Sequence, residues 1–152
     1  VRPSWEEYFL AVADAVSLRS DCRRAKVGAV LVDDHTHRIL STGYVGVAPG
    51  QPGCLSGACP RGLKSFDEVP PYSDYSNCIS THAEENCIYY ALKWYGLFYP
   101  YESTTLYITR APCQGCIEYS SKHRVRRFIY RDGRDGSMIR WIWIPFAGET
   151  TG

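Results

Sequence analysis

The chain has 152 residues, 45% of them hydrophobic, and a formal net charge of +1. That length suits one domain spanning residues 1–152 with a sizeable core, in a composition ordinary for a globular protein. The near-zero charge argues against nucleic acid as a partner, and no run of about 18 apolar residues offers a membrane span. The start, Val1-Arg2-Pro3-Ser4-Trp5, lacks the apolar stretch of a secretion signal. Seven cysteines without such a signal point to metal ligation rather than a disulfide framework. A soluble, cytoplasmic protein is expected.

Residues 4–19 predict a first helix. Trp5, Tyr8, Phe9, Val12, Ala15 and Val16 recur at helical spacing, and Ser4-x-x-Glu7 reads as a capping box. Val27 to Val32 is a short, nearly all-apolar run, as a central strand requires. Asp33 to His37 makes a polar turn, with His35 and His37 in solvent, and Arg38 to Tyr44 returns as the second strand of a hairpin. Residues 45–80 carry most of the Gly and Pro, and a loop of that length is usually functional or metal-braced. Helical spacing resumes at Ala83, Cys87, Ile88, Ala91 and Trp94, with Gly96 as a stop. Thr104 to Thr109 predicts a strand, Cys113 to about His123 a helix, and Val125 to Tyr130 another strand. Met138 to Pro145 alternates around Ile139, Trp141 and Trp143 and predicts a last strand. This alternation of strands and helices predicts an α/β sandwich.

The chemistry concentrates in two runs, Thr81-His82-Ala83-Glu84 and Pro112-Cys113-Gln114-Gly115-Cys116. His82, Cys113 and Cys116 can hold a zinc ion and leave a fourth position open for water, the mark of a catalytic rather than a structural site. Cys113 and Cys116 share a face if they lie on a helix, and a thiol at a helix N-terminus ionises more readily. Pro112 is placed to open that helix. Glu84 is left as the proton shuttle between water, ring nitrogen and leaving ammonia. Each half has a plainer reading. Thr81-x-x-Glu84 fits a capping box, and Cys113-x-x-Cys116 fits a redox pair or half of a structural zinc site. Together, H-x-E and P-C-x-x-C form the signature of the zinc nucleobase deaminases.

From about Trp5 to Tyr130 the chain resembles the deoxycytidylate deaminase family, within the cytidine deaminase-like superfamily. The resemblance rests on Trp5-Glu6-Glu7-Tyr8-Phe9, Arg19-Ser20-Asp21-Cys22, Lys26-Val27-Gly28-Ala29-Val30 and Ser41-Thr42-Gly43-Tyr44. It continues through His82-Ala83-Glu84-Glu85-Asn86, Leu106-Tyr107-Ile108-Thr109 and the Pro112–Cys116 run. It implies a three-layer sandwich with a mixed β-sheet flanked by helices, a homo-oligomer, and zinc-dependent hydrolysis of dCMP to dUMP and ammonia. One position departs from the pattern. The family's usual Gly-Tyr-Asn-Gly, whose Asn helps hold the sugar, is here Gly43-Tyr44-Val45-Gly46. Valine offers no hydrogen bond, so a modified or different cytosine or adenine substrate, single-stranded nucleic acid included, stands as the alternative. A catalytically inert, zinc-braced binding module is the third reading.

Related deaminases can carry a second, structural zinc, and Cys22, Cys54, Cys59 and Cys78 supply four thiols for a closed tetrahedral site around the long loop. Small buried hydrophobes are the plainer reading of the same cysteines. Cys87 is read as core. Ala83 and Val45 are placed beside the substrate. Arg23, Arg24, Lys26 and Arg110 are candidates for its phosphate, and Tyr107 and Tyr130 lie on strands near the site. The aromatic cluster Trp94, Tyr95, Phe98, Tyr99 and Tyr101 offers an oligomer interface or a surface for stacking bases.

Overall fold

The computed structural model describes residues 1–22, 25–47, 81–133 and 135–145. Its elements are α1 (Trp5–Ser17), β1 (Gly28–Asp33), β2 (Ile39–Tyr44), α2 (Ala83–Tyr95), β3 (Thr104–Ile108), α3 (Gln114–Lys122), β4 (Arg127–Asp132) and β5 (Met138–Trp143). The strands form one mixed sheet in the order β2-β1-β3-β4-β5. Only β3 and β4 run parallel, and α3 is the helix between them in sequence.

Every residue of β1 and β3 is buried, because both faces of the sheet centre are covered. On one face Val30, Val32, Tyr107 and Ile129 meet Phe9, Leu10 and Ala13 of α1. On the other, Ala29, Leu31, Leu106, Ile108 and Phe128 meet Ala83, Cys87, Ile88 and Ala91 of α2. The alternation of side chains along a strand sorts these residues into two cores, giving the expected three layers. A fully buried large aliphatic or aromatic side chain contributes ~2 kcal/mol, so both cores matter to stability.

Local chemistry sets the helix ends. Ser4 Oγ accepts from the Glu7 backbone N–H at 3.2 Å, and Glu7 returns a carboxylate to the Ser4 N–H at 3.4 Å, closing the predicted box. Two glycines let helices approach the sheet. A Cβ on Gly28 would lie 2.1 Å from the Ala13 carbonyl oxygen of α1. A Cβ on Gly43 would lie 2.4 Å from both the Ala83 oxygen and the Cys87 nitrogen of α2. Gly43 thereby fixes how closely the helix carrying Glu84 sits on β2.

In the β1–β2 turn His35 and His37 are exposed, as expected. His37 adopts φ 57° and its ring stacks on Trp5, with centroids 4.0 Å apart and planes 5° from parallel, so it also ties the hairpin to α1. Asp33 accepts from the N–H groups of His35 and Thr36 at 2.9 and 3.0 Å and from the Tyr99 hydroxyl. The Tyr99 bond, followed by these backbone bonds, holds the Asp33 carboxyl below its ordinary 3.8 despite burial. Burial, reinforced by Asp33, pushes the Tyr99 phenol up to about 12.

The two shifts give opposite signs of pH dependence. A depressed Asp33 stabilises the fold above about pH 4, and this contribution is lost as pH falls toward its folded value. A raised Tyr99 stabilises below its ordinary 10.0, and this contribution is lost as pH climbs toward about 12. Tyr99→Phe should therefore lower stability at neutral pH by about 1.5 kcal/mol, the usual size for a hydrogen bond to a charged group. Urea unfolding of both proteins between neutral pH and pH 12 checks this. Their difference should shrink above pH 10, and a constant difference would contradict the assignment.

The predicted aromatic cluster divides. Tyr101 is buried and Tyr99 partly buried, whereas Trp94, Tyr95 and Phe98 are exposed. No helix among the described residues is long and apolar enough to cross a membrane.

Candidate active site

The N-termini of α2 and α3 supply the site. His82 is the N-cap of α2 and Cys113 the N-cap of α3, with Cys116 in the first turn of α3. Pro112 stands one residue before the cap, outside the helix, rather than at its first position. Cys113 Sγ accepts from the Cys116 N–H at 3.4 Å, so the ligand itself caps the helix.

His82 Nδ1 lies 3.1 Å from Cys116 Sγ and 3.5 Å from Cys113 Sγ, and the three donor atoms fall within 4.8 Å of one another. Donors held about 2.0–2.3 Å from one zinc ion at tetrahedral angles sit about 3.5 Å apart, so this set fits the metal. The electrostatics agree. Burial pushes the Cys116 thiol well up, and the neighbouring Glu84 carboxylate and Cys113 add to the effect. A divalent cation among these donors would offset that burial and repulsion and hold the sulfurs as thiolates.

The capping-box reading of Thr81 and Glu84 is not what forms. Thr81 instead bridges Gly46, with N–H···O bonds of 2.9 and 3.2 Å, and α2 has no side-chain cap. Glu84 is 4% exposed. Burial raises its pKa, opposed by a hydrogen bond with Cys116 and by the fields of His82 and Arg110. A carboxyl lifted in this way is suited to moving protons.

A cavity joins these groups to the wall beside them. His82, Ala83, Glu84, Arg110, Ala111 and Cys113 line it together with Cys22, Ala25, Val27 and Val45. Val45 is held by Val27 O at 3.3 Å and by the Asp21 N–H at 2.8 Å. Arg110 is the cation among the described residues lining this cavity.

The remaining predicted residues fall as follows. Tyr107 is not at the site. It lies on the α1 face of the sheet, its ring 5.1 Å from that of Phe9, whereas α2 covers the opposite face. Tyr130 packs against the core on the α2 face but does not line the cavity. Lys26 is exposed between two cavity residues, Ala25 and Val27. Arg23, Arg24, Cys54, Cys59 and Cys78 lie outside the described residues. Cys22 is buried in the cavity wall, where its Sγ accepts from the Ala25 N–H at 3.4 Å. Cys87 is core, and burial pushes its thiol up to about 12.

Asn86 went unread. Its side-chain amide donates to the carbonyls of Tyr44, Thr81 and Gly46 at 2.9, 3.3 and 3.4 Å, tying α2 to the cavity wall. Its one sequence signal is its place in the His82–Asn86 run, two residues after Glu84.

Comparison with known proteins places the same residues in a family. Residues 3–132 match the model of the cytidine and deoxycytidylate deaminase zinc-binding region. The deoxycytidylate deaminase of Mycobacterium phage D29 is 41% identical over 85% of this chain and 95% of its own length. That of Schizosaccharomyces pombe is 33% identical over 85% of this chain, which spans 37% of the yeast protein. The dCMP deaminase of cyanophage S-TIM5, solved with dCMP and dUMP, superposes with a TM-score of 0.63 at 25% identity, covering 86% of this chain and 83% of that one. The sheet order, the His-Cys-Cys donor set beside a buried glutamate, and these matches agree: the chain belongs to the cytidine and deoxycytidylate deaminase zinc-binding family.

Proposed function

We propose that this protein is a zinc-dependent hydrolase that converts dCMP and water to dUMP and ammonia. The observation that carries the reading is the juxtaposition of three zinc donors with a buried Glu84 whose pKa burial raises. His82, Cys113 and Cys116 would hold the ion. Bound there, zinc would lower the pKa of a coordinated water toward ~7.

The chain's own residues supply the rest. Glu84 accepts a proton from the attacking water and passes it to N3 of the cytosine as the new C–O bond forms at C4. It then takes the proton of the new C4 hydroxyl and hands it to the amino group; the C4–N bond breaks, ammonia leaves, and a carbonyl remains at C4 beside the protonated N3. Ala83, Val27 and Val45 shape an apolar wall for the base and sugar, and Arg110 is the described partner for the anionic phosphate. A second zinc on Cys22, Cys54, Cys59 and Cys78 would be structural and would brace the loop. The exposed Trp94, Tyr95, Leu97 and Phe98 support a homo-oligomer, and residues 1–152 read as one deaminase domain. Free thiols at Cys22, Cys87, Cys113 and Cys116 fit a reducing, cytoplasmic setting.

Val45 is the place to test the substrate. Val45→Asn should restore one hydrogen bond to the sugar and raise kcat/KM for dCMP several-fold, the effect of ~1 kcal/mol. Both proteins should be compared on dCMP, CMP, the free nucleosides, a base-modified cytosine nucleotide, an adenine nucleotide and single-stranded DNA. A wild type that prefers another member of this panel, and is damaged by Asn, would show that Val45 packs against a different substrate, with Asn leaving a buried amide unsatisfied.

A further inference from the structure

We infer that Asn86 is a positioning residue that sets the substrate wall against the catalytic helix, an inference that rests on the deaminase reading above. The side-chain amide has two N–H donors and three carbonyls within reach. Tyr44 O at 2.9 Å takes one, and Thr81 O at 3.3 Å and Gly46 O at 3.4 Å share the other. These carbonyls come from two separate stretches of chain. Tyr44 and Gly46 flank Val45 in the cavity wall, and Thr81 immediately precedes the zinc donor His82.

Among the described residues, the backbone hydrogen bonds between these two stretches are those of a short bridge. Gly46 N–H donates to Thr81 O at 3.2 Å and Thr81 N–H to Gly46 O at 2.9 Å. An isolated bridge of two bonds is a weak device for holding a wall in register. Asn86 reinforces it from α2, one helical turn into the element that carries Glu84. Its own backbone N–H is used within the helix, donating to His82 O at 3.0 Å, so the side chain alone provides the clamp. Removing it takes the amide donor from Tyr44 O, leaves Gly46 O and Thr81 O only their mutual bridge bonds, and lets residues 44–46 shift relative to His82. A wall displaced in this way holds the substrate less well.

The geometry also predicts which kinetic constant moves. The amide contacts the wall and not Glu84, so its loss should weaken substrate capture more than chemistry. Asn86→Ala is expected to raise KM for dCMP about tenfold, with kcat within about twofold and zinc content unchanged. Backbone amide exchange at Gly46 and Thr81 should accelerate about tenfold in the same variant, a readout that needs no substrate. Combined with Val45→Ala, the KM effects should be non-additive, because Asn86 acts through the wall that Val45 forms.

Unchanged exchange at Gly46 and Thr81 would overturn the clamp itself. Faster exchange with unchanged KM, or with KM effects that add in the double variant, would overturn its positioning role while leaving the deaminase reading intact. Failure of the wild type to deaminate dCMP at all would instead remove the reading on which the inference rests, and the exchange result would still report on the clamp.

Discussion

Glu84→Gln should retain its zinc and lose activity by about 10²–10⁴-fold, the range that a positioned proton-transfer group contributes. Glutamine keeps the length and the hydrogen-bonding ability of the side chain but cannot take a proton from water. The structure makes this a clean substitution. Glu84 is buried and makes no capping bond to α2, so little helix stability depends on its charge. Removing a buried carboxyl whose pKa is raised chiefly by burial should, if anything, relieve a desolvation cost. Unfolding midpoint and zinc content should therefore match the wild type, and the loss should appear in kcat. Turnover within a few-fold of wild type in the zinc-replete variant would remove Glu84 from the proton path.

The second large effect concerns the metal. Cys116→Ser should abolish activity and remove one zinc per chain, because a neutral hydroxyl cannot replace a thiolate at about 2.3 Å from the ion. Its neighbourhood sharpens the expectation. Cys116 is fully buried, with its sulfur 3.1 Å from His82 Nδ1, so the hydroxyl that replaces it would sit in the same dry place without the charge the ion needs. If the proposed second site is real, wild type carries about two zinc ions per chain. Cys59→Ser then removes the other one and lowers stability, without removing the ion from His82, Cys113 and Cys116. Elemental analysis of the three proteins separates these cases. One zinc in the wild type, absent from Cys116→Ser and retained by Cys59→Ser, would restrict the protein to the catalytic ion.

The residues that proved readable are those whose signal is local. The Ser4 box, the nearly all-apolar run of β1, the stop at Gly96 and the two ligand runs each depend on neighbours within one helical turn or one strand, and each element lies within a few residues of its predicted bounds. The misreadings share a different cause. Tyr107 was placed near the site, but β3 is buried on both faces, so its sequence carries no inside–outside alternation to say which way Tyr107 points. Thr81 resembled a cap, but its backbone is committed to Gly46, far away in sequence. Asn86 was passed over because its partners Tyr44 and Gly46 lie 42 and 40 residues away. His37 is the exposed turn residue expected, but its stacking on Trp5 has no local signal because that ring is on another element. Residue types and short spacings reported the chemistry, whereas the support around it is made of long-range contacts.

The reaction itself is the most direct test. Zinc-loaded protein incubated with dCMP should release dUMP and ammonia in equal amounts, followed by loss of the cytosine chromophore and an ammonia assay, while the Glu84→Gln protein under the same conditions releases almost none. A protein that carries its zinc, keeps its fold and releases no ammonia from dCMP would contradict the account.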